Sequence, residues 1–178
     1  MRLPMSPTDS MFLLGESRDH PMHVGGLILL SPPDGATAAD LGALFTPAAE
    51  NGEVAPLWRK RAVRSLGTFG QWAWEQDVDF DLEYHVRRNA LPQPGGLDEL
   101  WDLVSPFCTA RCSTGADPLW QMHIIEGLAD GRLAVYTKIH HALADGVGAM
   151  KLLRRALSQD SERTDMPAPW APSDTPGR

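Results

Sequence analysis

Residues 118–141, "PLWQMHIIEGLADGRLAVYTKIHH", constrain the fold more than any other stretch of the chain. Two runs rich in β-branched and aromatic residues are separated by a segment containing Asp130 and Gly131, a pair that readily takes the backbone angles of a tight reversal. The stretch reads as two strands joined by a turn. It begins at Pro118, Leu119 and Trp120, where a core strand starts, and it ends in two adjacent histidines, His140 and His141. Asp145 and Gly146 follow four and five residues after the second histidine.

Other elements can be placed around this hairpin. In "SPTDSMFLLGE", Ser6 can cap a short helix, Pro7 suits its first turn and Gly15 can end it. "PMHVGGLILLSP" reads as a strand in which Gly25 and Gly26 allow a close approach or a bulge. "TAADLGALF" starts a helix at Thr37, and "TFGQWAWEQDVDFDLEYHVRR" suggests short extended pieces. In "GLDELWDLVSPFC", Leu97, Leu100, Trp101, Val104, Phe107 and Cys108 recur at threes and fours as one helical stripe, which Pro106 should bend or end. Val147, Met150, Leu153 and Leu157 form a second stripe. From Asp160 the chain is rich in Pro, Ser and Asp, a linker or tail composition.

The 178 residues suffice for one well-packed domain. A formal charge of −7 argues against nucleic acid as a partner. The one basic run, "WRKRAVR" at 58–64, reads as a solvated helix face or loop, with an anionic lipid surface or phosphorylated cofactor as the sharper alternative. Cys108 and Cys112 sit four apart, poorly placed for a disulfide and without further zinc ligands, so reduced thiols in the cytoplasm are expected. The N-terminus lacks the pattern of a signal peptide, and "VGGLILL" is too short to cross a bilayer. Trp72 and Trp74 read as core residues, with lipid contact as the alternative.

If the second hairpin strand stays regular, Leu133, Val135, Thr137, Ile139 and His141 face one way, and Arg132, Ala134, Tyr136, Lys138 and His140 the other. The first set is mostly apolar. His141 then ends a buried face, where partial desolvation favours a neutral, proton-accepting imidazole, and His140 lies on the polar face. This singles out His141 as a general base. Asp145 fits two roles, orienting the imidazole or pairing with an arginine that holds the loop, and Gly146 fits a sharp turn or a close approach to ligand. The same string also reads as a polar strand end, an Asp N-cap and a helix. A metal on His141 and Asp145 lacks a third ligand, so no metal site is expected. His23 reads as hydrogen-bonded beside its strand, with a pocket-lining role as the alternative.

Taken whole, "HHALADG" matches the His-His-x-x-x-Asp-Gly signature of acyltransferases that share the fold of chloramphenicol acetyltransferase and peptide-synthetase condensation domains. More closely, the chain resembles the amino-terminal half of the bacterial wax ester synthase/acyl-CoA:diacylglycerol acyltransferase family, from Met5 to about Trp170. The resemblance is carried by "SPTDSMFLLGE", "HPMHVGGL", "DFDLEYHVRRNALPQPG", the hairpin with its histidines, and the helix after it. It implies an α/β protein of α+β two-layer type, with a mixed sheet flanked by helices. Residues 1–159 would be the amino-terminal acyltransferase domain of a two-domain fold and 160–178 a linker, the carboxy-terminal domain being absent.

The resemblance also implies chemistry. His141 would take the hydroxyl proton of diacylglycerol or a long-chain alcohol as that oxygen attacks an acyl-CoA thioester, giving triacylglycerol or wax ester. His140, Asp145 (as loop support) and Gly146 complete the motif, and Pro118, Leu119 and Trp120 match the family's Pro-Leu-Trp element, a candidate substrate-binding segment. No cofactor is implied beyond acyl-CoA as co-substrate. A cytoplasmic protein, or one peripheral at the inner membrane or lipid inclusions, is expected. The family's Leu-Asp-Arg-type segment before Pro-Leu-Trp is replaced by "ARCSTGAD", with Arg111 and Asp117 nearby. A chain ending after the first domain would be weakly active or inactive alone, with a separate carboxy-terminal half or self-association supplying the missing wall. The alternatives are a non-catalytic homologue that binds acyl groups or CoA, and a condensation-type acyltransferase acting on another acceptor.

Overall fold

The hairpin forms, and the other elements are arranged around its second strand. The structure, a computed structural model, describes residues 2–43, 53–64, 67, 69–110, 119–160, 163 and 166–172. In chain order the elements are β1 (Arg2–Pro4), α1 (Pro7–Gly15), β2 (His23–Leu30), α2 (38–43), β3 (Lys60–Arg64), β4 (Trp72–Gln76), α3 (Leu82–His85), β5 (Val86–Ala90), α4 (Leu97–Thr109), β6 (Trp120–Glu126), β7 (Leu133–His140) and α5 (Gly146–Ala156). A four-stranded mixed sheet has the order β2-β7-β6-β5, antiparallel except for the β5–β6 pair. A second, antiparallel sheet has the order β1-β4-β3. The expected α/β architecture, with a mixed sheet and flanking helices, is present; β1 has no counterpart in the sequence reading.

Local chemistry explains most element ends. Ser6 accepts the Asp9 N–H at 3.0 Å and caps α1. Thr37 and Asp40 cap α2 reciprocally, with Thr37 N to Asp40 Oδ2 at 2.7 Å and Asp40 N to Thr37 Oγ1 at 3.3 Å. In the hairpin turn the Gly131 N–H donates to Leu128 O at 3.0 Å, and Gly131 has φ 77°, the left-handed region that glycine tolerates. Gly25 is also required, because a Cβ there would stand 2.9 Å from the Tyr136 hydroxyl oxygen.

β7 is buried on both faces. On one side Leu100 and Val104 of α4, with Leu103 and Phe107, pack against Ile125, Ala134 and Tyr136. On the other, Leu133 and Val135 join Trp120, Met122, Ile124, Trp58, Trp74 and Leu13. The expectation of a polar face carrying Tyr136, Lys138 and His140 is therefore corrected: α4 covers it. Lys138 is buried because its ammonium donates to the carbonyls of Phe107, at 2.9 Å, and of Ala110 at the end of α4. A cation suits the negative end of a helix dipole.

Other expectations shift for similar reasons. The α4 stripe is Leu100, Leu103, Val104 and Phe107, whereas Leu97 and Trp101 point outward and are about half exposed. Pro106 does not end α4, which continues to Thr109. Of the expected α5 stripe, Val147, Met150 and Leu157 are exposed, whereas Ala149 faces inward with Leu152; the Leu153 side chain lies outside the described residues. Residues 60–64 of the basic run form strand β3, and Trp58 and Arg59 lie in the turn that precedes it, so the run is not a helix face. Arg61 pairs with Glu75 at 2.8 Å, while Lys60 and Arg64 lie over the Trp74 and Trp72 rings. Trp74 is in the core, as expected. Cys108 is a free thiol, and Cys112 lies outside the described residues. Within the stretch 160–178, Trp170 is 1% exposed, stacks toward Trp120 and accepts the Ala55 N–H at 2.8 Å through its carbonyl.

These positions yield a stability test. Trp170→Ala should cost about 3–5 kcal/mol, the usual range for emptying a buried aromatic site. Trp101→Ala on the outward face of α4 should stay within about 1 kcal/mol. Urea unfolding of both variants checks this, and equal midpoints would refute the packing described for Trp170.

A second test concerns acid. Burial lowers the imidazole pKa of His85, His123 and His140 to about 4. The unfolded chain takes up these protons near the ordinary histidine value of about 6.5 while the folded chain does not, so stability is present above about 6.5 and lost as pH falls toward 4. The loss should be on the order of a few kcal/mol per ring, levelling near pH 4 for these groups. Urea midpoints between pH 7.5 and 4 measure it, and a flat profile would contradict the burial of the three rings.

Candidate active site

The site is the end of β7. His140 is its last residue and stands opposite His23 of β2. Backbone hydrogen bonds grip this end from both neighbours: His140 N donates to Leu119 O at 2.7 Å, and His141 N donates to Met22 O at 2.9 Å. The chain then reverses. Leu143 N and Ala144 N both donate to His140 O, at 2.9 and 3.3 Å. Ala142 and Leu143 are buried and pin the turn to the core.

The two histidines differ in environment, and not as alternation predicts. His140 is fully buried. Its Nδ1 accepts the Ala142 N–H at 3.0 Å. Burial first, then the nearby charges of His23, His141 and Lys138, take its pKa to about 4, so the ring is neutral. Its Nε2 lies 3.7 Å from Oε2 of Glu16, whose side chain is 2% exposed. His141 lies one residue past the strand, so the strand's alternation no longer dictates its direction. Its ring is half-buried and stacks on Phe12 of α1, with centroids 5.1 Å apart at 20°. Among the described residues, its ring nitrogens make no hydrogen bond.

Among the described residues Asp145 makes no hydrogen bond to an imidazole. Exposed at the start of α5, it accepts the Gly148 N–H at 2.6 Å as the helix N-cap, the plainer of the readings open from sequence. Among the described residues it pairs with no arginine. Gly146 opens α5 without a left-handed φ, and a Cβ there would meet open space. His23 is hydrogen-bonded beside its strand, donating from Nε2 to Cys108 O at 2.9 Å. Its pKa is lowered, by burial first and then by Lys138.

Leu119 and Trp120 are core residues. The Trp120 indole donates to Trp58 O at 2.7 Å and packs against the rings of His85 and Trp58. Trp120 also lines a cavity of about 20 Å³ with Met122, Ile139, Leu152 and Trp170, room for one water and not for an acyl chain. Pro118, Arg111 and Asp117 lie outside the described residues. Among the described residues no cluster of three or more His, Cys, Asp or Glu could hold a metal ion, and no helix is long and apolar enough to cross a membrane.

The sequence reading missed Phe12 and Glu16. The available signal was their spacing: Phe12 lies on α1 and Glu16, four residues on, caps its C-terminal end.

Comparison with known proteins accords with this arrangement. The family model for the wax ester synthase/diacylglycerol acyltransferase catalytic domain matches residues 5–177. A Mycobacterium bovis protein provisionally named diacylglycerol O-acyltransferase is 47% identical over 170 residues, 96% of this chain and 34% of the relative. A similarly named Mycobacterium tuberculosis protein is 48% identical over 166 residues, 93% of this chain and 36% of the relative. The chain thus spans about a third of the length of these relatives. The solved wax ester synthase/diacylglycerol acyltransferase of Marinobacter aquaeolei VT8 superposes with a TM-score of 0.85 at 40% identity, covering 99% of this chain and 42% of that one. A variant of the starter condensation domain of rhizomide synthetase, solved with C8-CoA, shares the fold alone, with a TM-score of 0.64 at 12% identity over 87% of this chain and 34% of that one. With the motif at the strand end, this fold and a family match across nearly its whole length, the chain belongs to the wax ester synthase/diacylglycerol acyltransferase family.

Proposed function

We propose that the chain carries the histidine centre of an acyl-CoA-dependent O-acyltransferase, which moves a fatty acyl group to diacylglycerol or a long-chain alcohol with His141 as general base. The observation that carries this reading is the unequal state of the two imidazoles. The His140 ring is buried, neutral and committed through Nδ1 to the Ala142 N–H. The His141 ring is stacked on Phe12 with its nitrogens uncommitted among the described residues. In the proposed reaction the alcohol oxygen attacks the thioester carbonyl while its proton passes to His141. The C–S bond then breaks, and the imidazolium returns that proton to the departing CoA thiolate. Proton transfer of this kind contributes about 100- to 10,000-fold in rate. The C8-CoA bound to a condensation domain of the same fold supports acyl-CoA as donor.

The reading also calls for a cover over the histidine loop. Met11 and Leu14 of α1, and Val147 and Met150 of α5, are each more than half exposed on the elements that flank the loop. Exposed apolar side chains mark a contact surface where they lie together. The relatives carry nearly twice as much chain again beyond the matched portion, and we assign the cover to that remainder.

His141→Ala should lower transfer from palmitoyl-CoA to diacylglycerol by about 100- to 10,000-fold, with an unchanged melting temperature and acyl-CoA still bound. Turnover within about threefold of the parent would remove His141 from the chemistry. Binding of acyl-CoA without transfer in the parent protein would favour the non-catalytic alternative.

A further inference from the structure

We propose that Glu16 is a positioning residue for the histidine pair, its carboxylate holding the His140 ring in one tautomer and fastening the end of β7 to α1. The proposal rests on the reading of His141 as the base. Its starting point is an unusual pair of buried atoms. Glu16 Oε2 and His140 Nε2 are 3.7 Å apart, on side chains 2% and 0% exposed, and among the described residues neither has a hydrogen-bond partner. Buried polar atoms are nearly always paired, and these two face each other at a separation that a small rotation of either side chain closes.

The chemistry of the pair is determined from the far side of the ring. Nδ1 of His140 accepts the Ala142 N–H, so a neutral ring carries its proton on Nε2 and presents a donor toward Glu16. The other carboxylate oxygen, Oε1, accepts the Met22 N–H at 3.4 Å. Glu16 therefore faces two donors with two acceptors. Met22 in turn accepts the His141 N–H through its carbonyl. One side chain thus reaches the first histidine directly and the second through a single residue of backbone. Four residues earlier, on α1, Phe12 stacks on the His141 ring. The second imidazole is thus held by ring contact with the helix, while the first is faced at 3.7 Å by the residue that caps the helix's C-terminal end.

A carboxylate is specifically required. Glutamine has the same shape but one acceptor and one donor, so Glu16→Gln would set an NH2 group against either the Met22 N–H or the His140 Nε2–H. The ring cannot escape by moving its proton to Nδ1, because the Ala142 N–H already points there. Aspartate keeps both acceptors on a shorter stem.

The test combines nitrogen NMR of histidine-labelled protein with turnover of palmitoyl-CoA and diacylglycerol. In the parent protein His140 should appear as the neutral Nε2–H form at pH 7. In Glu16→Gln its ring signals should move and its Nε2–H should exchange with water faster. The kcat should fall by about 10- to 100-fold with KM for acyl-CoA little changed, as expected when a reacting group is slightly misplaced. Glu16→Asp should recover a substantial part of both. Unchanged His140 signals in Glu16→Gln would overturn the proposal. If Glu16→Gln fails to fold, Glu16→Asp decides: with the carboxylate drawn back by its shorter stem, His140 ring signals identical to those of the parent would overturn the proposal. Absence of transfer in the parent protein would defeat the functional reading alone, because the NMR comparison tests the clamp without it.

Discussion

β7 is satisfied on all four sides, and the site inherits its position from that. β2 and β6 hydrogen-bond its two edges, α4 covers one face, and the tryptophan-rich core covers the other. A slip of one residue against either neighbour would turn every side chain of the strand over. Apolar alternation alone would resist such a slip weakly, because both faces are dry. Polar pairings set the register instead. Lys138 must meet the carbonyl end of α4, and His140 must meet the Ala142 N–H. Either group moved to the opposite face would be buried among apolar side chains without a partner, a costly arrangement.

The same logic explains why a protein with six histidines uses most of them as structure. His85 is stacked between Phe80 and Trp120, with its Nδ1 at 3.0 Å from the Trp120 carbonyl oxygen. His123 lies flat against Phe107 with its Nδ1 at 3.1 Å from the Asn89 amide. A neutral imidazole serves here as a small aromatic plate with a polar edge, able to fill a core position while satisfying a nearby backbone or amide group. Burial keeps these rings unprotonated near neutral pH and shields them from solvent. His141 lies beyond the strand, in a turn that leaves its ring partly open.

What could be read from the sequence divides along this line. Elements whose cause is local were legible: the hairpin from its β-branched runs, α1 from Ser6 and Pro7, α2 from Thr37, and β2 from its apolar run between prolines. What each face meets was not. Period-two alternation assumes one wet face, and α4, distant in sequence from β7, dries the other. Helical periodicity found a stripe on α5 without revealing that Val147 and Met150 look outward. In the tail, proline and serine content suggested a linker, yet one indole at Trp170 binds the segment to the core. The strand β3 was hidden because its arginines and lysine suggested a solvated surface. The tryptophans and the glutamate that receive them come from β4, and only the pairing of the two strands brings them together.

The histidine motif itself separates into residues that the fold uses and residues that it does not. His140 ends the strand and fixes the turn through its ring and its carbonyl. Ala142 and Leu143 bury the turn, and Asp145 caps the helix that leaves it. The spacing from the second histidine to the aspartate is thus the length of chain needed to leave a strand, anchor a turn and start a helix. Two positions remain. The His141 ring contributes one stacking contact that another aromatic residue would supply equally well, and Gly146 sits where neither backbone angle nor packing demands glycine. A fold under no other constraint has no use for an imidazole and a bare backbone at those positions. The proposed reaction, with a proton acceptor at 141 and close backbone access beside it, would give both positions a use.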